Sequence, residues 1–386
     1  MGKFRYFNDD VFFDVLSQLS TKILVGLKCV SKGWHSLISD RRFIQSQLRQ
    51  TRLTVSGFIF QEKFQWYDED IKTVSYININ PVEKESFQVK QTVFDFLPED
   101  VVVLASCNGL VCCRSCFPQT QSQDPPAIYV CNPVNKEFFT LTCAGLDRDS
   151  SVALAFDPSQ EPVDTCTNFK LVRAQQFETE EEEMYFAFEI YSSRVGAWRK
   201  SNEICKCSKS LFKNKGIYIG GMLHWLTDGD SILAFDLDKE LSLLISVPVP
   251  AAEFKSIPQA CIGESQGLLH YVMISEEGLH LWCLEDHLEC KWTLKYSNPL
   301  ETMEKEHPQF LCNLKERVTN AYDTPWVNPL AYKDNPLLMR VAAKIYLYDF
   351  ESSEMQMVCD ASKLGSSSIF FPTVFAYSMS LVPLNH

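Results

Sequence analysis

The run Gly216-Ile217-Tyr218-Ile219, then Met222-Leu223-His224-Trp225, Ile232-Leu233-Ala234-Phe235-Asp236, a charged turn and Leu241 to Val247, reads as four short strands joined by tight turns. Its apolar stretches are rich in aromatic and β-branched residues, and the breaks fall at Gly, Asp, Lys and Glu, which favour turns over continued pairing. The same order returns along the chain. Ile262-Gly263-Glu264-Ser265-Gln266-Gly267-Leu268-Leu269 opens a second unit, continued by Leu279-His280-Leu281-Trp282-Cys283-Leu284 and Cys290-Lys291-Trp292-Thr293-Leu294. Earlier, Asn108-Gly109-Leu110-Val111-Cys112 leads to Ile128-Tyr129-Val130-Cys131-Asn132-Pro133 and Glu137-Phe138-Phe139. Later, Lys344-Ile345-Tyr346-Leu347-Tyr348-Asp349-Phe350 precedes Met355 to Val358. Each unit is a Gly-started strand, an apolar strand ending in Asp or Asn, a charged turn and another strand.

Recurrence at about forty to fifty residues predicts an irregular β-propeller, with one four-stranded blade per unit and about six blades in all. An irregular β-sandwich of similar strands is the alternative, because strict kelch or WD signatures are missing. In the propeller reading, the late run Ile369 to Leu381 returns to pair with strands near Leu53 to Phe60. That pairing hides two sheet edges that would otherwise be open to other chains.

The first fifty residues follow a helical period. Val11, Val15, Leu16 and Leu19 recur at i, i+4, i+5 and i+8, and Ile23, Leu24, Leu27, Val30 and Trp34 repeat the pattern after a break. Asn8 is the expected cap of the first helix, with Asp9 and Asp10 in the turn where the helix dipole favours negative charge; Ser20 or Thr21 caps the second and Asp40 the last. Ser31 and Gly33 loosen the middle of the segment. Three or four helices of this length bury only a small core, so they complete it against the downstream domain or against a partner. The chain is therefore read as α+β and multidomain, with a helical domain at residues 1–50 and an all-β domain at 51–386.

The helical stretch resembles an F-box, the module that docks on the Skp-type adaptor of SCF ubiquitin ligases. Cys29-Val30-Ser31-Lys32, Trp34, Leu37-Ile38-Ser39-Asp40 and Phe43 are similar in order and spacing to the plant form of the motif, and the match covers about residues 7 to 48. Where that family opens with Leu-Pro this chain has Phe7-Asn8, and where it has a second Pro this chain has Ser20. The resemblance implies adaptor contacts from Phe7, Asn8, Val11, Val15, Leu16, Leu19, Leu24, Leu27, Val30, Trp34 and Leu37. Ser106-Cys107-Asn108-Gly109-Leu110, Asn132-Pro133, Ala155-Phe156-Asp157-Pro158, Glu189-Ile190-Tyr191 with Trp198-Arg199, and Leu223-His224-Trp225-Leu226 resemble the plant F-box-associated (kelch-like) domain. In that family the C-terminal domain recruits a target protein, and the adaptor connects it to cullin and RING subunits. A substrate-receptor subunit without catalytic activity is the implied role, and a propeller-fold hydrolase or lectin-like protein with a vestigial head is the alternative.

Composition narrows the rest. The 386 residues are 46% hydrophobic and 22% charged, an ordinary globular balance, and no apolar run reaches the eighteen residues of a membrane span. The N-terminus lacks the apolar region of a signal peptide, so a cytoplasmic or nuclear location is expected. Fifteen cysteines, odd in number and often within apolar runs, fit reduced buried thiols better than a disulfide framework. Residues 1–50 carry eight basic and four acidic side chains, while the remainder carries 28 and 45. So acidic a body lacks the clustered cations that a nucleic-acid surface needs.

No catalytic or metal site is expected. Gly263-Glu264-Ser265-Gln266-Gly267 fits the nucleophile-elbow pattern, but strand residues follow it where a helix is required, so its glycines are read as turn residues. Cys113 with Cys116, and Cys205 with Cys207, are half-sites lacking the second pair of a structural zinc, and no cofactor-binding glycine loop is present. Candidate target-binding loops are Phe117 to Pro126, Glu178 to Glu183, and above all the irregular stretch Asn298 to Pro336, whose Trp326 and Tyr332 are the expected aromatic contacts.

Overall fold

A computed structural model describes residues 9–50, 53–62, 74–79, 87–116, 126–146, 150–159, 167–319, 326–364 and 372–384. The helical head consists of α1 (Asp9–Ser17), α2 (Thr21–Leu27), α3 (Lys32–Ile38) and α4 (Arg41–Gln50). Asp40 caps α4 as expected, its carboxylate accepting from the backbone N–H of Arg42 at 2.8 Å and of Phe43 at 3.3 Å. Asn8 lies outside the described residues. Ser20 occupies the N-cap position of α2 but its side chain makes no capping bond. Ser31 does not loosen the segment; its hydroxyl accepts from Trp34 N–H at 3.2 Å and starts α3.

The head's small core holds Leu16, Leu24, Ile38, Phe43 and Ile44, with Phe12 edge-on to Trp34 at 5.1 Å and Phe13 edge-on to Phe43 at 5.2 Å. This core does not close on itself. It is continuous with Leu381, Val382 and Leu384 from the end of the chain and with Ile128, Val130 and Leu154 of the β domain.

The strands are β1 to β3 (Gly57–Glu62, Val74–Asn78, Gln88–Lys90), β4 to β7 (Val101–Cys107, Leu110–Ser115, Ala127–Asn132, Glu137–Thr142) and β8 to β11 (Ser151–Ala155, Lys170–Glu178, Met184–Ser192, Ala197–Lys206). They continue as β12 to β15 (Leu211–Ile219, Met222–Thr227, Ser231–Asp236, Leu241–Ser246) and β16 to β19 (Gln259–Ser265, Leu268–Ser275, Gly278–Asp286, Lys291–Asn298). After α5 (Leu300–Glu306) and α6 (Leu314–Thr319) come β20 to β23 (Val327–Lys333, Pro336–Val341, Lys344–Asp349, Met355–Asp360) and β24 (Pro372–Tyr377). The described strands form four four-stranded sheets and one eight-stranded sheet. The large sheet is two antiparallel meanders whose first strands, β16 and β20, pair in parallel at Gly263–Tyr332 and Glu264–Lys333. Strand β4 contacts β8 and β24, β8 contacts β12, β16 pairs with β20 and β20 contacts β24, so the first strands of the sheets gather around a common axis, the arrangement of a β-propeller and not of a two-layer sandwich.

Burial follows from that arrangement. A middle strand is covered on both faces by neighbouring sheets, so Ile232, Leu233, Ala234 and Phe235 of β14 are all buried, each larger side chain contributing roughly 1.5–3 kcal/mol. Fourth strands such as β7 and β11 face solvent on one side and alternate. Phe188 of β10 stacks on Phe235 of β14 at 4.3 Å, and Trp225 of β13 donates to Ser151 Oγ of β8 at 2.8 Å, so adjacent sheets interlock. Trp198 of β11 and Trp292 of β19 donate from their indoles to the carbonyls of Thr142 and Ser246 at the ends of β7 and β15.

The Asp or Asn ending each apolar strand folds the turn that follows. Asp236 Oδ1 accepts from Asp238 and Lys239 N–H, Asp286 Oδ1 from Leu288 and Glu289, Asp349 Oδ1 from Glu351 and Ser352, and Asn132 Oδ1 from Val134. As expected from the late apolar run, β24 pairs with β1 from Gly57–Tyr377 to Glu62–Pro372 and closes the ring. Residues 378–384 then run under the head. Asn132 Nδ2 donates to the carbonyls of Ser380 at 3.0 Å and Val382 at 2.7 Å, and Asn135 Nδ2 donates to those of Leu381 and Val382.

Candidate functional site

Burial sorts the expected adaptor contacts. Val11 is 46% exposed, Val15 55% and Val30 63%. Val11 and Val15, four positions apart on α1, share one helix face. Leu19, Leu27, Trp34 and Leu37 are half-buried, whereas Leu16 and Leu24 are core residues that hold the helices together. Phe7 and Asn8 lie outside the described residues. Ile23, half exposed on α2, joins the outward valines and is absent from the expected contacts. Its signal was in the sequence: helical spacing groups it with Leu24 and Leu27, but only the packing reveals which apolar residue faces out.

The head's other side is committed to its own chain. Gln45 Nε2 donates to Pro158 O at 3.5 Å, and Lys28 stands beside Glu137, its ammonium pKa lowered chiefly by burial. Docking on the downstream domain thus leaves Val11, Val15, Ile23 and Val30 of the head exposed. Few small helical units leave four aliphatic side chains this open without a partner.

Among its described residues, the stretch expected to be an irregular aromatic loop is largely helix and strand, and Tyr332 is not exposed. It contains α5, α6 and β20, and Tyr332 is 5% exposed on that innermost strand, its hydroxyl donating to Asp334 O at 2.9 Å. Trp326 is half-buried, with the Arg317 guanidinium 4.5 Å from its ring centroid. A strand at the propeller axis buries a tyrosine that sequence spacing alone placed in a loop. Glu178 to Glu183 forms the β9–β10 hairpin, and residues 117–125 lie outside the description.

Ser265 ends β16 and is followed by the two-residue turn Gln266-Gly267, with φ of 54° and 75°, and then by β17. Its hydroxyl donates to Asp334 O at 2.6 Å, and the ring of His270 is bonded to Leu268 O. This is a hairpin, not a nucleophile elbow. Gly267 is the turn glycine expected there, but Gly263 is not: it lies within β16, where a Cβ would come 2.1 Å from Tyr332 O, so its bare backbone lets β16 meet β20. Cys113, Cys205 and Cys207 are buried among apolar residues, and burial raises the pKa of the Cys113 and Cys205 thiols. Among the described residues no group of three metal-ligating side chains forms, and no helix is long and apolar enough to cross a membrane.

A cavity of about 380 Å³ lies on the axis, lined by residues of β4, β12, β16, β20 and β24, by Asp157 after β8, and by Leu48 and Leu53 beneath the head. Because strands alternate in direction, the turns that open beside it (Asn108, Gly220, Gly267) emerge on the same end as the third-to-fourth-strand turns that carry the exposed Val195 and Leu288.

Two families match the chain. An F-box domain matches residues 7–46, and the family "F-box protein At3g26010-like, beta-propeller" matches residues 80–315. Arabidopsis thaliana F-box protein At5g07610 is 24% identical over 377 residues, covering 92% of this chain and 86% of the relative. F-box protein At5g49610 of the same plant is 25% identical, covering 75% and 77%. With a helical head matching the F-box and a ring of sheets behind it, the chain belongs to the At3g26010-like β-propeller family of F-box proteins.

Proposed function

We propose that this chain is the substrate-receptor subunit of an SCF-type cullin-RING ubiquitin ligase. Residues 1–50 dock on a Skp-type adaptor, and through it on cullin and RING subunits, while residues 51–386 hold a target protein. The observation that carries the reading is that Val11, Val15, Ile23 and Val30 of the head stay open although the head's core is packed on the propeller. We count each four-stranded meander as one blade, six in all, with the eight-stranded sheet as two blades joined where Gly263 admits Tyr332. The exposed hairpin tips Val195 and Leu288 are the target contacts we favour over Trp326 and Tyr332, which have partners of their own. The chain contributes position and effective concentration, and the bond-making chemistry belongs to its partners. Such a receptor works in the cytoplasm or nucleus.

The test is co-purification of the full chain with a Skp-type adaptor. Val11→Asp with Val15→Asp places two charges in the apolar contact and weakens binding by about a hundredfold or more, while the thermal midpoint stays near that of the unaltered chain because both sites are exposed. Adaptor binding undiminished in the double variant refutes the assignment.

A further inference from the structure

The axial cavity has an unusual charge arrangement. Its carboxylates are already engaged: Glu264 lies 3.3 Å from Lys333 Nζ and accepts from Gly267 N–H at 2.7 Å, and Asp157 accepts from Ser159 N–H at 2.9 Å and from its hydroxyl. Lys215 is different. It projects from β12 where the pairing with β13 slips between Leu211 and Gly216, and its Nζ stands 5.7 Å from the Phe375 ring centroid on β24. Among the described residues Lys215 has no ion pair and no hydrogen bond. It keeps access to the cavity and is otherwise enclosed by protein. A partly buried cation without a counter-ion is costly, and a ring face offsets only part of that cost.

We propose that the axial cavity binds a small organic monocarboxylate, whose carboxylate pairs with Lys215 and whose apolar body lies against Phe375, Ile262 and Ile217. The volume is that of a small-molecule site, and its walls combine an apolar majority with convergent polar groups, which such sites use to fix a ligand's orientation. Local charge sets the class: among the described residues Lys215 has no ion-pair partner, Asp157 being bonded only to Ser159, so a single negative charge beside it completes one pair and a phosphate dianion would leave a charge unpaired. Desolvation lowers the lysine's pKa to about 8, the direction that a paired anion would reverse. Cys261 on β16 is the group acting on it through charge; Cys107, Tyr218 and Tyr332, which also face the cavity, have raised pKa values, and Asp157 and the Glu264–Lys333 pair complete the surroundings. The proposal does not depend on the receptor reading, but Leu48 of α4 lines the same cavity, so a ligand there touches head and propeller at once.

The test is calorimetric titration of the full chain with biphenylcarboxylate, the matching carboxamide and the matching phosphate. The carboxylate binds, the carboxamide binds about tenfold more weakly or worse, and Lys215→Met, which keeps the unbranched stem, loses about tenfold or more. Absence of carboxylate binding, equal binding of the carboxamide, or a Lys215→Met affinity within about threefold of the unaltered chain overturns the site. Tighter binding of the phosphate overturns the monocarboxylate class. Should Lys215→Met fail to fold, the unaltered chain still decides: affinity holds below about pH 8 and falls above it as the ammonium loses its proton, whereas a flat profile to about pH 9.5 refutes the pairing.

Discussion

Asn132→Ala breaks the clamp that holds residues 380–382 beneath the head. Asn132 is fully buried, its Nδ2 donates to two carbonyls of that segment, and its Oδ1 accepts from Val134 N–H. Three hydrogen bonds at about 1 kcal/mol each are lost. Val382 O keeps a second donor in Asn135 Nδ2 at 3.1 Å, but Ser380 O loses the side-chain donor described here, adding a desolvation penalty of about 1–2 kcal/mol. The total is about 4 kcal/mol. Asn135→Ala loses two bonds, to Leu381 O and Val382 O, but leaves Val382 O with Asn132, and costs about 2 kcal/mol. Asn132→Asp is the sharper probe, because it keeps the shape and turns a donor toward two carbonyl oxygens into an acceptor; it destabilises more than Ala at neutral pH and recovers as the buried acid takes up a proton. The assays are thermal unfolding and amide exchange. Asn132→Ala should deprotect 380–384 and also α4, whose Phe43 and Ile44 share the core of Leu381 and Val382. Unchanged protection of that segment, or an Asn135→Ala effect as large as that of Asn132→Ala, refutes the reasoning.

Three further outcomes are expected. Gly263→Ala forces β16 from β20 because its Cβ would meet Tyr332 O at 2.1 Å, and costs about 2–3 kcal/mol in a denaturant titration; a neutral result would mean the strands separate freely. His224 Nε2 lies 3.2 Å from His287 Nε2, and burial lowers the pKa of His224 to about 3 and also lowers that of His287. Both folded pKa values are below the unfolded value of about 6.5, so stability is full above it and falls with acidification, by up to about 1.4 kcal/mol per pH unit for His224. His224→Gln should flatten that slope in unfolding measured between about pH 7 and pH 5, and an unaltered slope would locate the effect elsewhere. Asp236→Ala removes the acceptor of two turn N–H groups and costs about 1 kcal/mol, whereas Asp236→Asn retains the turn; equal losses would show that the charge and not the acceptor matters.

Strand repetition, the turn residues and the return of the last strand were legible because they are local or strongly patterned. Asp236, Asp286, Asp349 and Asn132 recur at strand ends because each must fold the same turn with its own side chain. The helical period likewise marked α1 and α2. What escaped was set by contacts distant in sequence. Nothing near Tyr332 says that β20 lies on the axis, and Gly263 read as a turn glycine because its reason for lacking a Cβ is a carbonyl some seventy positions on. Helical spacing grouped Leu16 with Val15, yet only docking of the head decides that one is buried and the other open. Lys215 drew no notice in a strand of mixed character; its interest depends on which side chains from other blades fail to reach it.

The residues that close the ring also floor the head, and this orders events during synthesis. Gly57 and Tyr377 pair although about 320 positions separate them, an interval that takes roughly fifteen seconds to a minute to translate. Until then β1 has one unpaired edge, and Leu16, Phe43 and Ile44 lack the Leu381, Val382 and Leu384 against which they pack. The α-helices emerge first but mature last. A nascent or truncated chain therefore presents a loosened head, and the helical surface settles only in molecules whose propeller is already complete.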